Sequence, residues 1–432
     1  MLKISGWESK TLGTLINEGK IVIQTGPFGS VLSAKEFVKY GIPVVAVREI
    51  REGYIQIFDE TPCVSMETYN RLSKYNLATN DLVFARKGNV ERSALIPLTK
   101  TKYFLGSDGN CLRVITKNLL PQYLFYAIQS NTVRSFLIQN AYGTTMAGLN
   151  EKILSSIPLF LPVDIDEQSA IAETFSDIDR LISSLQKLIE KEKAIKQGAM
   201  QELLTGKKRL PGFSVEWTQA PFGDLFDFLP TNAFTRDQMM DTGTIQNVHY
   251  GDILTKYGAC LDMANTGVPY LLETVSVRKY SESSYVREGD VIIADTAEDS
   301  TVGKCVELVN VHGKVLSGQH TMLCRPKVTF APKFLGYYMN AECFHNQMLP
   351  FITGIKVSSI SKANISTLVL KYPTLVEEQQ AIAQVFSDMD NEIAQLEKKL
   401  AKYQQIKQGV MQELLTGRIR LVGTDRGDTS EV

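Results

Sequence analysis

Five residues in a row, Gly26-Pro27-Phe28-Gly29-Ser30, form a glycine-bounded tight loop directly after the strand-like run Ile21-Val22-Ile23. Backbone N–H groups in such a loop suit an anion, so phosphate is the natural guest, with a plain structural turn as the alternative. No Gly-Lys-Ser/Thr follows, so the loop is not one that binds a nucleotide triphosphate and its metal. A second group, Arg86-Lys87-Gly88-Asn89 with Arg92, clusters after the apolar run Asp81–Ala85, and Arg48 follows another such run. Cations interleaved with an amide suit phosphate and base-edge contacts, or simply form a solvated charged loop. A third group lies far along the chain: Arg236 and Gln238 within Thr231–Gln238, then His249-Tyr250, Gln319-His320 and Lys356. Donors mixed with aromatic rings are what a surface that reads nucleobases requires. With Phe28 and Ser30, these residues are the candidate DNA contacts.

Other chemistry lacks its parts. The six cysteines lie far apart with no C-x-x-C pair, and the four histidines show no H-E-x-x-H spacing, so no metal site is expected and the thiols read as buried and free. There is no N/D-P-P-Y/F motif, no F-x-G-x-G loop and no G-x-x-x-x-G-K-S/T loop. The chain is therefore expected to be no enzyme and to hold no cofactor. No secretory signal or apolar run of membrane-spanning length is present, which gives a cytoplasmic expectation. Net charge is −1, but residues 1–160 carry +6 while residues 216–376 carry −3. A basic face is thus available to the first part only.

What must position these groups is a chain that contains itself twice. Glu167-Gln168 and Ala170-Ile171-Ala172 recur 211 residues on as Glu378-Gln379 and Ala381-Ile382-Ala383, and Phe175-Ser176-Asp177 recurs as Phe386-Ser387-Asp388. Met200–Gly206 recurs unbroken as Met411–Gly417, and roughly 26 of about 45 positions match across the repeated segment. The intervening stretches are dissimilar. The layout is a domain at 1–160, a constant helix at 161–210, a second domain at 211–376, a constant helix at 377–422 and a polar tail at 423–432. Ile171, Phe175, Ile178, Ile182, Leu185 and Ile189 step by alternating fours and threes, as do Ile382, Phe386, Met389, Ile393, Leu396 and Leu400. That is the seam of a coiled coil, and the two helices are expected to pair antiparallel within the chain. Asp166, Glu167, Glu377 and Glu378 suit the dipole of the first turn, and Gly206 and Gly417 suit left-handed caps. Gly198 and Gly409 interrupt the helices at matching places, which favours close backbone approach at a helix crossing or against a partner. Between the helices, Ile42–Val47, Asp81–Ala85, Leu112–Ile115, Gly251–Leu254, Gly289–Ala294 and Thr321–Cys324 read as strands, with helix over Leu119–Gln139 and from Pro332 to about Gln347. The expected fold is α+β: two mixed α/β domains and two long antiparallel helices with pseudo-two-fold symmetry.

The E-Q-x-A-I-A-x-x-F-S-D-x-D run and the K-Q-G-x-M-Q-E-L-L-T-G end, occurring twice around a long helix, resemble the two conserved regions of type I restriction–modification specificity subunits. The first domain adds the Gly26–Ser30 loop and Gly143-Thr144-Thr145, which places Thr144 and Thr145 among the candidate DNA contacts. The resemblance implies two target recognition domains, each reading one half of a bipartite site in double-stranded DNA. It also implies helices that set the unread spacer and dock two modification (methyltransferase) subunits, with restriction (motor–nuclease) subunits joining for cleavage and no membrane involved. A coiled-coil scaffold unconnected with DNA would explain the helices, but not why the domains diverge while the helices stay alike.

Overall fold

A computed structural model describes residues 4–141, 148–354 and 356–421. The chain forms two compact units, the first drawn from two places in the sequence and the second from one continuous stretch. One runs to Leu185 and takes up the chain again at Lys399; the other is Gln186–Lys398. The break therefore falls inside the long helices, not at the edges of the repeated segments.

In the first unit, strands β1 (Ile21–Thr25), β2 (Leu82–Ala85), β3 (Ser93–Leu95) and β4 (Gly109–Val114) form a sheet in the order β1-β4-β2-β3, antiparallel throughout. All four residues of β2 are buried, as a continuous apolar run predicts for a strand covered on both faces. One face carries the core built on Leu12, Phe84 and Tyr123. The other meets a five-stranded sheet containing Ile42–Val45, with its own core around Val44, Phe104 and Cys111. The expected helical stretch is two helices, Pro121–Ile128 and Asn131–Asn140. The entering strand Trp7–Thr11 pairs with Pro158–Pro162 and so ties the start of this domain to its end.

The second unit repeats the plan with one strand more. Strands β5 (Phe226–Leu229), β6 (Cys260–Asp262), β7 (Val291–Ala294), β8 (Cys305–Val309) and β9 (Thr321–Pro326) lie in the order β5-β9-β7-β8-β6. One expectation fails. Gly251–Leu254 is no strand but the body of a short helix, Tyr250–Thr255, whose first turn is capped by the His249 ring. A four-residue apolar run has no measurable period, and only Asp252 and Ile253 of that helix are buried.

Helices α1 (Ile165–Leu203) and α2 (Val376–Leu414) are each 39 residues long. All twelve seam residues are buried or half-buried. Ile171 and Phe175 sink into the core of the first unit, and Ile382 and Phe386 into that of the second. In each unit the opening of one helix meets the end of the other. Leu414 and Leu415 share a core with Phe175, while Leu203 and Leu204 share one with Phe386. Ion pairs fix the direction. Lys407 meets Asp179 at 2.6 Å in the first unit, and Lys196 meets Asp390 at 2.5 Å in the second. Arg420 meets Glu167 in the first, and Arg209 meets Glu378 at 2.5 and 2.6 Å in the second. As one residue number rises its partner's falls, so the segments run antiparallel within each unit. Glu167 and Glu378 are therefore more than complements to a helix dipole: both are buried, and each is held by an arginine just past the far end of the other helix. Gly206 and Gly417 have φ of +71° and +68°, as left-handed caps require. Gly198 and Gly409 are exposed, and a Cβ at either would meet nothing within 4 Å. The close approach that they favour is not made by any of the described residues.

Candidate nucleic-acid interface

In the first unit, the end of β2 turns outward at Arg86, and three separated segments converge there. Gly26 packs so tightly on the turn before β4 that a Cβ would lie 1.8 Å from the Gly106 carbonyl oxygen, so only glycine fits. Its N–H donates to the Gly109 carbonyl at 3.0 Å. The chain then swings out, and the Phe28 carbonyl accepts from the N–H groups of Val31 and Leu32 at 2.7 and 3.1 Å. The loop is thereby closed on itself and presents the Phe28 ring 53% exposed, with Ser30 beside it in solvent. The Arg86 guanidinium lies 4.9 Å from the centre of that ring. Its backbone is fixed on both sides: the N–H donates to the Asp108 carbonyl at 2.9 Å, and the carbonyl accepts from Leu149 at 2.8 Å. Lys87 pairs with the Asp108 carboxylate at 3.0 Å. Asn89, turned so that its amide oxygen faces Arg92, accepts from that guanidinium at 2.8 Å. Phe28, Arg86, Lys87, Asn89 and Arg92 thus belong to one or two neighbouring loops. Arg48 has other engagements, with Glu60 at 2.7 Å and over the Phe58 ring at 4.6 Å. Thr144 and Thr145 lie outside the described residues.

In the second unit the candidate residues also gather, around a buried acid. Arg236 donates to Asp252 at 2.7 Å and sits 3.4 Å from His249 Nδ1. Lys256 reaches the other Asp252 oxygen at 2.9 Å. Burial penalises the Asp252 carboxylate, yet these two cations hold its pKa below the ordinary value. His249 Nδ1 accepts from the Gly251 N–H at 3.1 Å, which caps the short helix. Burial, and then the charge of Arg236, lowers the His249 pKa, so the ring is a neutral acceptor. Tyr250 stacks obliquely on His249 at 4.7 Å and meets His320 edge-on at 5.3 Å. His320 is held at φ of +53°, with Thr296 Oγ1 and Asp295 near its Nδ1 at 3.4 and 3.8 Å and the Gln319 amide near its Nε2 at 3.3 Å. Gln238 turns back to accept from the Thr235 N–H at 3.0 Å. Beside Arg236 and Asp252 opens a cavity of about 940 Å³, also lined by Met239, Gln246 and Tyr270. Lys356 is exposed.

Sequence reasoning passed over the acids. Asp108, Asp252 and Asp295 are what the cations and rings arrange themselves around. It also missed a repeated internal brace. Asp81 takes two hydrogen bonds from Arg113 at 2.5 and 2.8 Å, and Asp290 takes two from Arg325 at 2.6 and 2.8 Å. Each pair ties the entry of a buried strand to its neighbour, β2 to β4 and β7 to β9, so the loops that follow rest on a rigid base. Gln168 and Gln379 do likewise for the helices: each accepts from the backbone N–H that opens a domain helix segment and donates to a proline carbonyl. The signal for the Asp–Arg braces was repetition of an acid together with a distant base, and for the glutamines repetition of the amide alone. All six cysteines are free thiols. Among the described residues no cluster of His, Cys, Asp and Glu is placed to hold a metal, and no helix is long and apolar enough to cross a membrane.

The repeated frame carrying unlike loops is matched by a family model, the type I restriction modification DNA specificity domain, over residues 5–194 and again over 214–408. The chain belongs to this family. The type I restriction enzyme MjaVIII specificity subunit of Methanocaldococcus jannaschii is 24% identical, with 95% of each chain covered. The putative type I restriction enzyme MjaX specificity subunit of the same organism is 23% identical, over 96% of this chain and 94% of that one. Among solved structures, the S subunit of a type I restriction–modification system from M. genitalium aligns with a TM-score of 0.56 at 15% identity, covering 96% of this chain and 98% of that one. A chain from a structural study of type I complex assembly and conformational transition aligns at 0.54 with 14% identity, covering 97% and 100%. These likenesses extend over the whole fold.

Proposed function

We propose that this chain selects the DNA on which a type I modification and restriction assembly acts, and performs no bond chemistry itself. The domain at 1–160 reads one half of a bipartite, asymmetric target, and the domain at 211–376 reads the other. Helices α1 and α2 set the unread spacer. The observation that carries this reading is the pairing of one frame, repeated down to its Glu–Arg and Asp–Arg braces, with two loop clusters of different composition. A protein whose task was scaffolding would have no reason to keep the frame and change the loops. In this reading Phe28, Ser30, Arg86, Lys87, Asn89 and Arg92 contact DNA from the first domain, and Arg236, Gln238, His249, Tyr250, Gln319, His320 and Lys356 from the second. Phosphate contacts set register, and base-edge contacts set sequence. Two modification subunits dock on the helices. The exposed Ile195, Ile406, Gly198 and Gly409, which no described residue covers closely, mark the faces offered to them. Restriction subunits join that assembly for cleavage.

Single-molecule methylome sequencing of cells that express the chain with its cognate modification subunits tests this. The expected result is a two-part methylated motif with a fixed gap. Exchange of residues 1–160 for another such domain changes one half of that motif and leaves the other half intact; a change in both halves contradicts the modular reading.

A further inference from the structure

We propose that Arg86 reads a guanine in the half-site of the first domain, and that Phe28 is the positioning residue that holds its guanidinium for that task. This rests on the reading just given and adds to it a base and a residue. The cations around the Gly26–Ser30 loop are otherwise spoken for: Lys87 by Asp108, Arg92 by Asn89 and Arg48 by Glu60. Arg86 is different. Among the described residues no carboxylate, carbonyl or amide oxygen accepts from its guanidinium; its one partner is the face of Phe28. Yet it is half-buried, and its backbone is hydrogen-bonded on both sides. A planar fork of donors is therefore anchored at its backbone and against one ring, and no acceptor among the described residues takes its donor edge.

That combination separates two guests. A phosphate requires a positive charge within reach, which a mobile lysine supplies. It gains little from a guanidinium already anchored against a ring. A base edge gains a great deal from a fixed plane. Guanine offers O6 and N7 side by side in the major groove, the acceptor pair that a guanidinium fork meets with two parallel hydrogen bonds. The contact with the ring lowers the ordering cost that a free arginine side chain would bring to binding. The support of Phe28 is equally rigid, because Gly26 leaves no room for another backbone path and the Val31 and Leu32 N–H groups close the loop on the Phe28 carbonyl.

The test uses the full chain assembled with its modification subunits, and duplexes bearing each single base-pair change in the first half-site. The wild-type complex is expected to prefer guanine at one position by roughly 5- to 150-fold in methylation kcat/KM. R86A is expected to bring that preference close to 1, with discrimination elsewhere in the first half and throughout the second half unchanged. F28L is expected to lower the preference at the same position only, and F28Y, which keeps the ring face, to retain it. Should R86A fail to assemble, R86K keeps the charge and the stem but not the fork, and loss of the preference in it supports the proposal. Guanine preference that survives R86A or R86K overturns the proposal. So does a uniform loss across all duplexes with a shallower salt dependence, which is the mark of a phosphate contact. A first half-site without guanine overturns it as well. A wild-type complex that methylates no two-part sequence sinks the underlying reading instead, and shows itself before any variant is made.

Discussion

The two domains stand on matching braces, yet treat their arginines in opposite ways. In the first, Arg86 lies over an exposed ring with no acceptor among the described residues, and Asp108 is taken up by Lys87. In the second, Arg236 and Lys256 close on a buried Asp252, and the neutral His249 ring lies beside Arg236. The charge difference between the segments, +6 against −3, is thus expressed locally as well as in the sum. One duplicated frame can carry a surface that offers positive charge and another that offers neutral rings, amides and hydroxyls. The cost of the latter is weaker attraction to any DNA, and the second domain is expected to depend on its docked partners for phosphate neutralisation.

If the frame is truly shared, its failure should be symmetrical. Glu167→Ala and Glu378→Ala each strand an arginine in a largely buried setting, and each is expected to cost about 3–5 kcal/mol in denaturant unfolding. A difference between the two well above 1 kcal/mol would show that the frames are not equivalent. The next effect belongs to the second unit alone. Glu307 on β8 accepts from the N–H groups of Lys333 and Gly336 at 2.6 and 2.8 Å, and burial outweighs those bonds and pushes its pKa up to about 7 from 4.5. Its pKa in the fold lies above that of the unfolded chain, so the stability it adds is whole below about pH 4.5 and lost as pH rises through about 7. That swing amounts to about 3 kcal/mol at most. Glu307→Gln is expected to flatten this part of the pH profile in urea melts of the full chain; an unchanged slope breaks the assignment. The smallest effect sharpens the contrast itself. Asp252→Asn frees Arg236 and Lys256, and the assembled complex is expected to bind DNA with a salt slope steeper by about 1 to 2. An unchanged slope would mean that neither cation faces DNA.

Much of this was legible before any coordinate. The repeat, the alternating seam and the buried strands are short-range or self-similar patterns, and the helices α1 and α2 lie where the seam puts them. The short helix Tyr250–Thr255 was not legible, because its cap is a histidine ring and its apolar content fits a strand equally well. Nor were the acids legible as partners. Glu167 and Arg420 are 253 residues apart, and Glu378 and Arg209 are 169 apart, so no local window joins them. In hindsight both members of each pair recur at the same 211-residue shift, and a repeated acid beside a repeated base was the available clue. Loop geometry stayed hidden for a different reason. Which arginine is open and which is closed depends on a carboxylate from another segment, and turn propensity carries no such information.

The Arg420–Glu167 contact also has a bearing on the order in which this protein is made. The first unit is begun first on the ribosome, yet its core lacks Leu414 and Leu415 and its buried Glu167 lacks a counter-charge until the last helix has emerged. The second unit has all of its parts once Lys398 is out. The earlier of the two units is therefore the later to be finished, and until then it waits with one side unsealed.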